Sequence, residues 1–130
     1  MANPARSWRE IPQRYRLEAV KCASCGEVSY PPRLVCPKCR SRRFEKVTLA
    51  DEGRILTYTV TRVGPSQFAA LTPYAVGIVE LDGGVRIMAQ IADCAFDELA
   101  IGKRVRLEFR RIQQDGEAGI LCYGHKAVPA

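Results

Sequence analysis

The chain has 130 residues, of which 47% are hydrophobic and 26% are charged, a composition typical of a folded protein with one domain or two small ones. It contains no run of eighteen apolar residues, which excludes a transmembrane helix, and its first ten residues, MANPARSWRE, lack the apolar stretch of a secretory signal. We therefore expect a cytoplasmic protein, in which disulfides are disfavoured and the six cysteines need another explanation.

The positive charge is concentrated in the first third of the chain. Residues 1–46 contain eleven Lys and Arg against four Asp and Glu, a net charge of +7. Residues 47–130 contain nine basic and ten acidic residues, a net charge of −1. This shift in composition predicts two domains, residues 1–46 and residues 47–130, that meet near Val47.

The first predicted element is a short N-terminal helix. Residues 4–10, PARSWRE, fit one or two helical turns, and Pro12 is expected to stop the helix. The alternation over residues 14–22 fits a strand that leads into the first pair of cysteines. Residues 27–30 and 44–48 fit two further short strands.

Four cysteines lie between these strands as two CxxC pairs with ten residues between them: Cys22, Cys25, Cys36 and Cys39. Two CxxC turns brought together place four thiolates at tetrahedral positions, which suits Zn²⁺ at Zn–S distances of about 2.3 Å. Iron in a rubredoxin-type site would use the same ligands, so iron is the alternative to zinc. Because four protein ligands leave no position for water or substrate, we expect a structural metal ion. Residues 14–46 are thus predicted to be a rubredoxin-like zinc ribbon that depends on its metal to fold.

The residue after each pair bears on the geometry of the site. Gly26 follows the first pair, where a CxxC turn usually needs a left-handed backbone that glycine adopts without strain. Arg40 follows the second pair. We expect the second turn either to tolerate this strain or to take another geometry.

The second domain reads as a series of strands separated by turn residues. Residues 54–63, 74–81, 85–91, 104–110 and 120–124 fit five strands in about seventy residues, with Asp82-Gly83-Gly84 as a hairpin turn. Gly77 and Gly84 permit sharp bending, as a small closed barrel requires, and the OB-fold is the best candidate. The predicted fold class is therefore all-β: a zinc ribbon with a short N-terminal helix, followed by a five-stranded OB-fold barrel.

Several motifs together resemble a family of stand-alone zinc-ribbon and OB-fold proteins that accompany thiolases and related acyl-CoA enzymes. The resemblance covers nearly the whole chain. The motifs are WREIPQRYRL at residues 8–17, the Cys22–Cys39 segment with its embedded YPPR at 30–33, GRILTY at 53–58, PYAVGIVELDG at 73–83, GKRV at 102–105 and YGHK at 123–126. The family often has glycine after its last metal cysteine, and Arg40 departs from this pattern.

The resemblance implies a non-catalytic accessory subunit in a hetero-oligomer. Members of this family bind a thiolase, which some archaeal members also help to couple to hydroxymethylglutaryl-CoA synthase. Others pair with lipid-transfer-protein-like aldolases or acyl-CoA hydratases, and in several the OB-fold lies near the path of the CoA thioester. We therefore expect a scaffold whose ribbon presents Trp8, Tyr15, Tyr30 and the turn at residues 31–33 to a partner. Arg33 and Arg62 are candidate contacts to the phosphates of CoA.

Nucleic-acid binding is the alternative function, because zinc ribbons and OB-folds both commonly serve it. A nucleic-acid-binding OB-fold usually presents a basic groove with aromatic residues on which bases stack. Here the barrel has a net charge of −1. Its aromatic residues are as well explained by packing; they are Tyr58, Phe68, Tyr74 and Phe96.

Enzymatic activity of the chain itself has little support in the sequence, and no catalytic residue is predicted. His125 is its single histidine, and a lone histidine is more often a packed residue than a general base. Cys94 and Cys122 fall outside the metal spacing. Cys122 lies in an apolar strand, where a buried cysteine behaves as a small hydrophobe, and Cys94 has no identifiable activating partner.

Overall fold

The chain folds into a three-stranded sheet followed by a five-stranded closed barrel, as seen in a computed structural model that describes residues 3–114 and 117–130. This architecture confirms the predicted fold class. The helices are α1 (Pro4–Arg9) and α2 (Ile11–Arg16), with 3₁₀ helices at Ser66–Leu71 and Phe96–Glu98. The strands are β1 (Glu18–Cys22), β2 (Val28–Ser29), β3 (Phe44–Thr48), β4 (Glu52–Thr61), β5 (Tyr74–Leu81), β6 (Arg86–Ile91), β7 (Arg104–Gln114) and β8 (Leu121–Pro129).

The N-terminal segment differs from the prediction because Pro12 does not end the helical region. It lies in the first turn of α2, where the backbone N–H that proline lacks would have no helical partner. The prediction of a strand from residue 14 is therefore wrong for its first residues, since Arg14 to Arg16 are helical. Leu17 ends α2 in a left-handed conformation, with φ of 51°, and β1 begins at Glu18.

The ribbon sheet has β1 at its centre, in the order β2-β1-β3, and both pairs are antiparallel. Cys22 pairs with Phe44 at one end of the sheet and Glu18 pairs with Thr48 at the other. The ribbon sheet therefore extends to Thr48, the last residue of β3. The sheet places Cys22 at the end of β1, directly before the first CxxC turn.

The barrel has the strand order β4-β5-β6-β8-β7 and closes through pairing of β4 with β7. Its one parallel pair within the described residues joins β6 to β8 at Ile91 and Ala127. The predicted bounds of β5 are confirmed, whereas β8 continues past Gly124 to Pro129. Strand β7 continues past its predicted end at residue 110 to Gln114, and Asp115 and Gly116 lie outside the described residues.

The barrel encloses the main hydrophobic core. Burial along β5 alternates strictly, and Ile87, Ala89 and Ile91 form the buried face of β6. Burying each large aliphatic side chain contributes about 1.5–3 kcal/mol. The largest fully buried apolar side chains of the barrel are Ile55, Val79, Leu81, Val105 and Val128.

Two glycine-dependent features shape the barrel as predicted. A Cβ atom at Gly77 would lie 2.6 Å from the carbonyl oxygen of Thr57, on the strand whose register shifts between Ile55 and Thr57. Only glycine allows β4 and β5 to approach this closely at the bend. The predicted hairpin turn is also confirmed, with the N–H of Gly84 donating to the carbonyl of Leu81 at 2.9 Å.

The ribbon and the helices pack directly on the barrel. Leu17 is buried in the barrel's core cluster, and its carbonyl accepts a hydrogen bond from the N–H of Leu49 at 3.0 Å. Tyr15 meets Phe109 of β7 edge to face, with ring centroids 5.0 Å apart. Across residues 3–114 and 117–130, none of the helices has the length and apolar character that a membrane crossing requires.

Candidate metal centre and adjoining surfaces

The four cysteines of the two CxxC pairs converge on one point beside the ribbon sheet. Their sulfur atoms all lie within 4.8 Å of one another. The sulfurs of Cys22 and Cys39 are 3.5 Å apart, as are those of Cys25 and Cys36. A tetrahedral ion with bonds of about 2.3 Å requires sulfur–sulfur distances of about 3.8 Å. The cluster therefore fits one metal ion with only a small adjustment.

The two CxxC turns have the same backbone geometry. The N–H of Gly26 donates to the carbonyl of Cys22, and the N–H of Arg40 donates to that of Cys36, each at 2.9 Å. Gly26 has φ of 78° and Arg40 has φ of 63°. Of the two outcomes expected at the second turn, the structure therefore shows the strained one: Arg40 adopts the left-handed conformation.

The turns themselves favour the thiolate form of the first cysteine in each pair. The backbone N–H of Cys25 lowers the pKa of Cys22 to about 6, and the N–H of Cys39 likewise lowers the pKa of Cys36. The backbone N–H of Glu27 acts to lower the pKa of Cys25, but burial and the neighbouring thiols outweigh it. They raise the pKa of Cys25 to about 12. Four thiolates this close repel one another, so a cation is needed to hold all of them deprotonated.

The donor set limits which ion fits. Four thiolates in a tetrahedral arrangement suit zinc or iron, whereas hard ions such as magnesium prefer oxygen ligands. With four protein ligands the coordination sphere is full. The site therefore supports a structural metal ion that stabilises the ribbon and fixes the loop between the two turns.

Similarity to known proteins follows the same division into ribbon and barrel. Residues 9–45 match the family described as "ChsH2, rubredoxin-like zinc ribbon domain", and residues 46–110 match "ChsH2, C-terminal OB-fold domain". The chain belongs to the ChsH2 family. This membership confirms the resemblance inferred from the sequence motifs.

Individual relatives agree with the assignment to the ChsH2 family. A "DUF35 domain-containing scaffold protein" of Methanocaldococcus jannaschii is 45% identical over 95% of this chain and 89% of its own length. The "Benzoylsuccinyl-CoA thiolase subunit BbsA" of Geobacter metallireducens is 29% identical over 86% of this chain and 75% of its own length. A solved structure, "Ltp2-ChsH2(DUF35) aldolase", matches with a TM-score of 0.75 and 28% identity over 99% of this chain and 96% of that chain.

The two arginines predicted to contact CoA lie far apart in this ChsH2-family chain. Arg33 lines a groove of about 500 Å³ between the ribbon and the hairpin turn after β5, together with Glu27 and Arg86. Arg62 follows Thr61, which pairs with Tyr74 at the opposite end of β5. Because β5 has eight residues, the two arginines are separated by roughly 23 Å along the strand. They cannot hold the same phosphate group.

The predicted docking residues divide into two groups in the ChsH2-family fold. Trp8, which is 75% exposed, and Tyr15 lie together beside the start of β8 and line an apolar pocket of about 200 Å³. Tyr30 is instead half-buried, and its hydroxyl donates to the carbonyl of Gln13 at 2.9 Å. Tyr30 therefore joins the ribbon to α2 and does not belong to the exposed surface.

Sequence analysis missed Leu34, which is 88% exposed in the loop between the two CxxC turns. The signal was present, because Leu34 and Val35 are adjacent apolar residues in a segment that forms no strand. The loop presents them beside the metal centre. With Arg33, they form an exposed surface that is both apolar and basic.

The remaining candidate residues have packing roles in the described structure. Tyr58 donates its hydroxyl hydrogen to the carbonyl of Leu99 at 3.1 Å, and Phe68 packs edge to face on Tyr74 at a centroid distance of 5.8 Å. His125 is half-buried with its Nδ1 atom 3.0 Å from the carbonyl oxygen of Arg14. Its ring also packs against Phe109. These contacts agree with the packing interpretation for Tyr58, Phe68 and Tyr74, whereas Phe96 is 39% exposed.

Proposed function

We propose that this ChsH2-family chain is a non-catalytic accessory subunit that binds a thiolase-type acyl-CoA enzyme and helps to position its CoA thioester. The observation that carries this proposal is similarity over most of the chain to a protein named as a thiolase subunit and to one named as a scaffold. The four-cysteine site supports the non-catalytic role, because a metal ion with four protein ligands stabilises structure and has no open position for a substrate. The nearest alternative keeps the accessory role and replaces the thiolase partner with an aldolase or a hydratase of acyl-CoA metabolism.

We further propose that the bound ion is zinc and that all four cysteines of the cluster are its ligands. Zinc would hold the loop of residues 26–35 between the two turns and so keep Arg33 and Leu34 in a fixed position. Elemental analysis of the purified protein tests the identity of the ion. A rubredoxin-type iron site would instead absorb visible light, whereas a zinc site is colourless.

Two exposed apolar surfaces are the proposed contacts to the enzyme. One is the pair Trp8 and Tyr15 on the helices, and the other is Leu34 on the loop beside the metal centre. The net charge of +7 on residues 1–46 surrounds them with positive potential. Such a surface suits an acidic patch on a partner or the phosphates of CoA, because complementary charge speeds association and selects the partner.

Purification of the native complex tests this proposal directly. The chain should retain an acyl-CoA enzyme of the thiolase type, identified by native mass spectrometry. A double Cys36→Ser, Cys39→Ser variant should lose metal and partner together. Cys94→Ser is the matched control, because Cys94 is half-buried and outside the cluster, and it should keep both.

Two results would contradict the proposal. Full partner activity with the double cysteine variant would show that the metal centre is not needed for docking. Recovery of RNA or DNA in place of an enzyme would support nucleic-acid binding, the alternative that the charge of residues 1–46 favours. In that case binding should weaken steeply as salt concentration rises.

A further inference from the structure

Strands β6 and β8 are apart over their N-terminal parts and meet only near the end of β6. Within the described residues they pair at one position, Ile91 with Ala127, although β6 begins at Arg86 and β8 begins at Leu121. Because the two strands are parallel, their N-terminal parts diverge on the same side of this pair. A groove of about 420 Å³ lies between them, here called the β6–β8 groove.

The backbone of β6 directs peptide groups into this groove. In an antiparallel pair, alternate residues turn their peptide groups toward and away from the neighbouring strand. The bond from Leu81 N–H to Val85 carbonyl, at 2.8 Å, sets this alternation between β5 and β6. It turns the peptide groups of Met88 and Gln90 away from β5. The bond from Ala92 N–H to Ala127 carbonyl, also at 2.8 Å, confirms that this side of β6 faces β8.

The backbone of β8 does the same from the other side. The N–H of Ala130 donates to the carbonyl of Arg104 at 3.2 Å, and this bond sets the alternation between β7 and β8. It turns the peptide groups of Tyr123 and His125 away from β7 and toward the groove. Apart from the pair of Ile91 with Ala127, the two walls of the β6–β8 groove do not pair within residues 3–114 and 117–130. That parallel pair uses the carbonyl of Gln90, so the groups left over on β6 are the peptide group of Met88 and the N–H of Gln90.

The side chains around the groove leave space for a ligand, and one of them has a hydrogen-bond acceptor without a donor. The residues nearest the barrel interior, Ala89 and Gly124, are small. The Oε1 atom of Gln90 is buried and has no hydrogen-bond partner among the described residues. Met88, at 73% exposure, forms an apolar edge. The lining includes Arg14, which also pairs with Glu10, and contains no carboxylate.

We propose that the β6–β8 groove binds an extended segment of the partner enzyme, which adds as a strand between β6 and β8. The source of the segment rests on the proposed function; the mode of binding rests on the groove itself. From Met88 to Gln90 the unpaired edge of β6 measures about 7 Å, which accommodates about two residues of a strand before Ile91 pairs with Ala127. Main-chain hydrogen bonds provide affinity in this mode, and alternate side chains provide specificity.

The groove also specifies the chemistry of the segment. A small apolar side chain suits the space beside Ala89, since the Ile112 side chain already lies against Gly124, and its apolar neighbours pack outward on Met88. A donor on the segment satisfies the buried oxygen of Gln90. An acidic residue beside this apolar stretch suits the net positive charge of residues 1–46, to which Arg14 contributes although it is paired with Glu10.

Amide hydrogen exchange of the full metal-bound chain tests the proposal. In the free chain, the amides of Met88 and Gln90 should exchange faster than those of Ile87 and Ala89, which bond to β5. The probe is the peptide acetyl-Asp-Val-Ala-Val-Thr-amide, which should slow exchange at Met88 and Gln90. The same peptide with Lys in place of Asp should bind more weakly.

A matched pair of variants separates the groove from a general effect of surface charge. Met88 and Ile101 have nearly equal exposure, 73% and 72%. Met88→Lys should weaken binding of the peptide by about tenfold, because it removes the apolar edge of the groove. Ile101→Lys, outside the groove, should leave peptide binding unchanged.

The outcomes distinguish this proposal from the proposed function. If an acyl-CoA enzyme co-purifies but neither the enzyme nor the peptide slows exchange at Met88 and Gln90, strand addition is wrong and the accessory role stands. If the peptide protects these amides but no such enzyme is recovered, strand addition stands and the accessory role is wrong. If free CoA slows exchange at these amides and the peptide does not, strand addition is overturned in favour of a small-molecule site.

Discussion

Gly26 and Arg40 close the two CxxC turns with the same left-handed backbone, at φ of 78° and 63°. Each donates its N–H to the first cysteine of its own pair over the same distance, 2.9 Å. The two residues therefore occupy equivalent positions, one without a Cβ atom and one with it. For an L-residue this conformation costs roughly 1–2 kcal/mol. The second turn carries that cost in the folded ribbon.

Arg40→Gly should raise the free energy of unfolding by about 0.5–1 kcal/mol, because the relief of backbone strain exceeds the added flexibility of the unfolded chain. Gly26→Ala should lower it by about 1 kcal/mol through the backbone alone. A Cβ atom at Gly26 would meet nothing closer than the Cε atom of Lys21, at 3.9 Å. Denaturant unfolding at a fixed concentration of free zinc measures both changes, and a destabilised Arg40→Gly variant would contradict the strain at this turn.

The second prediction concerns the hydrogen bond from Tyr30 to the carbonyl of Gln13, at 2.9 Å, which joins the ribbon to α2. Tyr30→Phe should destabilise the chain by about 0.5–1.5 kcal/mol, because the bond is lost and a partly buried carbonyl loses its donor. Tyr15→Phe is the control: Tyr15 packs on Phe109 through its ring, which phenylalanine preserves. Its effect should stay within about 0.5 kcal/mol. Urea unfolding compares the two, and equal losses would show that the Tyr30 hydroxyl has no special role.

The strength of local patterns explains which parts of the fold could be predicted. Spacing alone predicted that the four cysteines converge, because two CxxC turns brought together place four sulfur atoms around one point. Strand β5 was predicted to the residue because its nearly continuous apolar run ends at the Asp82-Gly83-Gly84 turn. The position of Tyr30 could not be predicted in this way, since it depends on a contact with Gln13, seventeen residues earlier in the chain.

Strand β8 and helix α2 were mispredicted for a related reason. His125 and Lys126 interrupt the apolar pattern of β8, so the sequence indicated an end at Gly124. In the structure, His125 lies under α2, within hydrogen-bonding distance of the carbonyl of Arg14, 111 residues away in sequence. A polar side chain satisfied by such a distant partner leaves no local signal. Pro12 was misread for a simpler reason, since proline both ends helices and begins them.

The third prediction is a loss of stability in acid that depends on His125. Burial lowers the pKa of His125 below its ordinary value of 6.5, and the nearby Arg14 carbonyl, Asp51 and Glu108 oppose this only in part. Between the two pKa values the unfolded chain binds more protons than the folded chain, so protonation favours unfolding. The stability contributed by the neutral ring is complete above about pH 6.5 and is lost as the pH falls through the folded pKa.

His125→Gln provides the comparison, because glutamine has no titrating group. Melting temperatures of both proteins, measured from pH 8 to pH 5 with saturating metal, should show wild type losing stability faster than the variant below about pH 6.5. Loss of metal in acid affects both proteins alike and cancels in the difference. A constant difference across this range would contradict the prediction.

The fourth prediction distinguishes the two arginines at opposite ends of β5. Arg33 shares its groove with Glu27 and Arg86, and because Arg86 also pairs with Glu80, Arg33 is the arginine proposed to contact a phosphate there. In the purified complex with an acyl-CoA enzyme, Arg33→Gln should raise the KM for the CoA thioester by about three- to tenfold, as expected for loss of one charge-assisted hydrogen bond at an exposed site. The kcat should not change, since the contact is remote from the reacting thioester.

Arg62→Gln is the matched control, because Arg62 is an exposed arginine at the other end of the strand. Its KM should stay within about twofold of wild type, since one CoA cannot place the same phosphate at both sites. The reverse result would place the phosphates of CoA at the Arg62 end of the barrel. That end also carries Tyr74, which lines the β6–β8 groove, so a CoA bound there would compete with the proposed peptide. Inhibition of the complex by the peptide would then depend on the concentration of CoA.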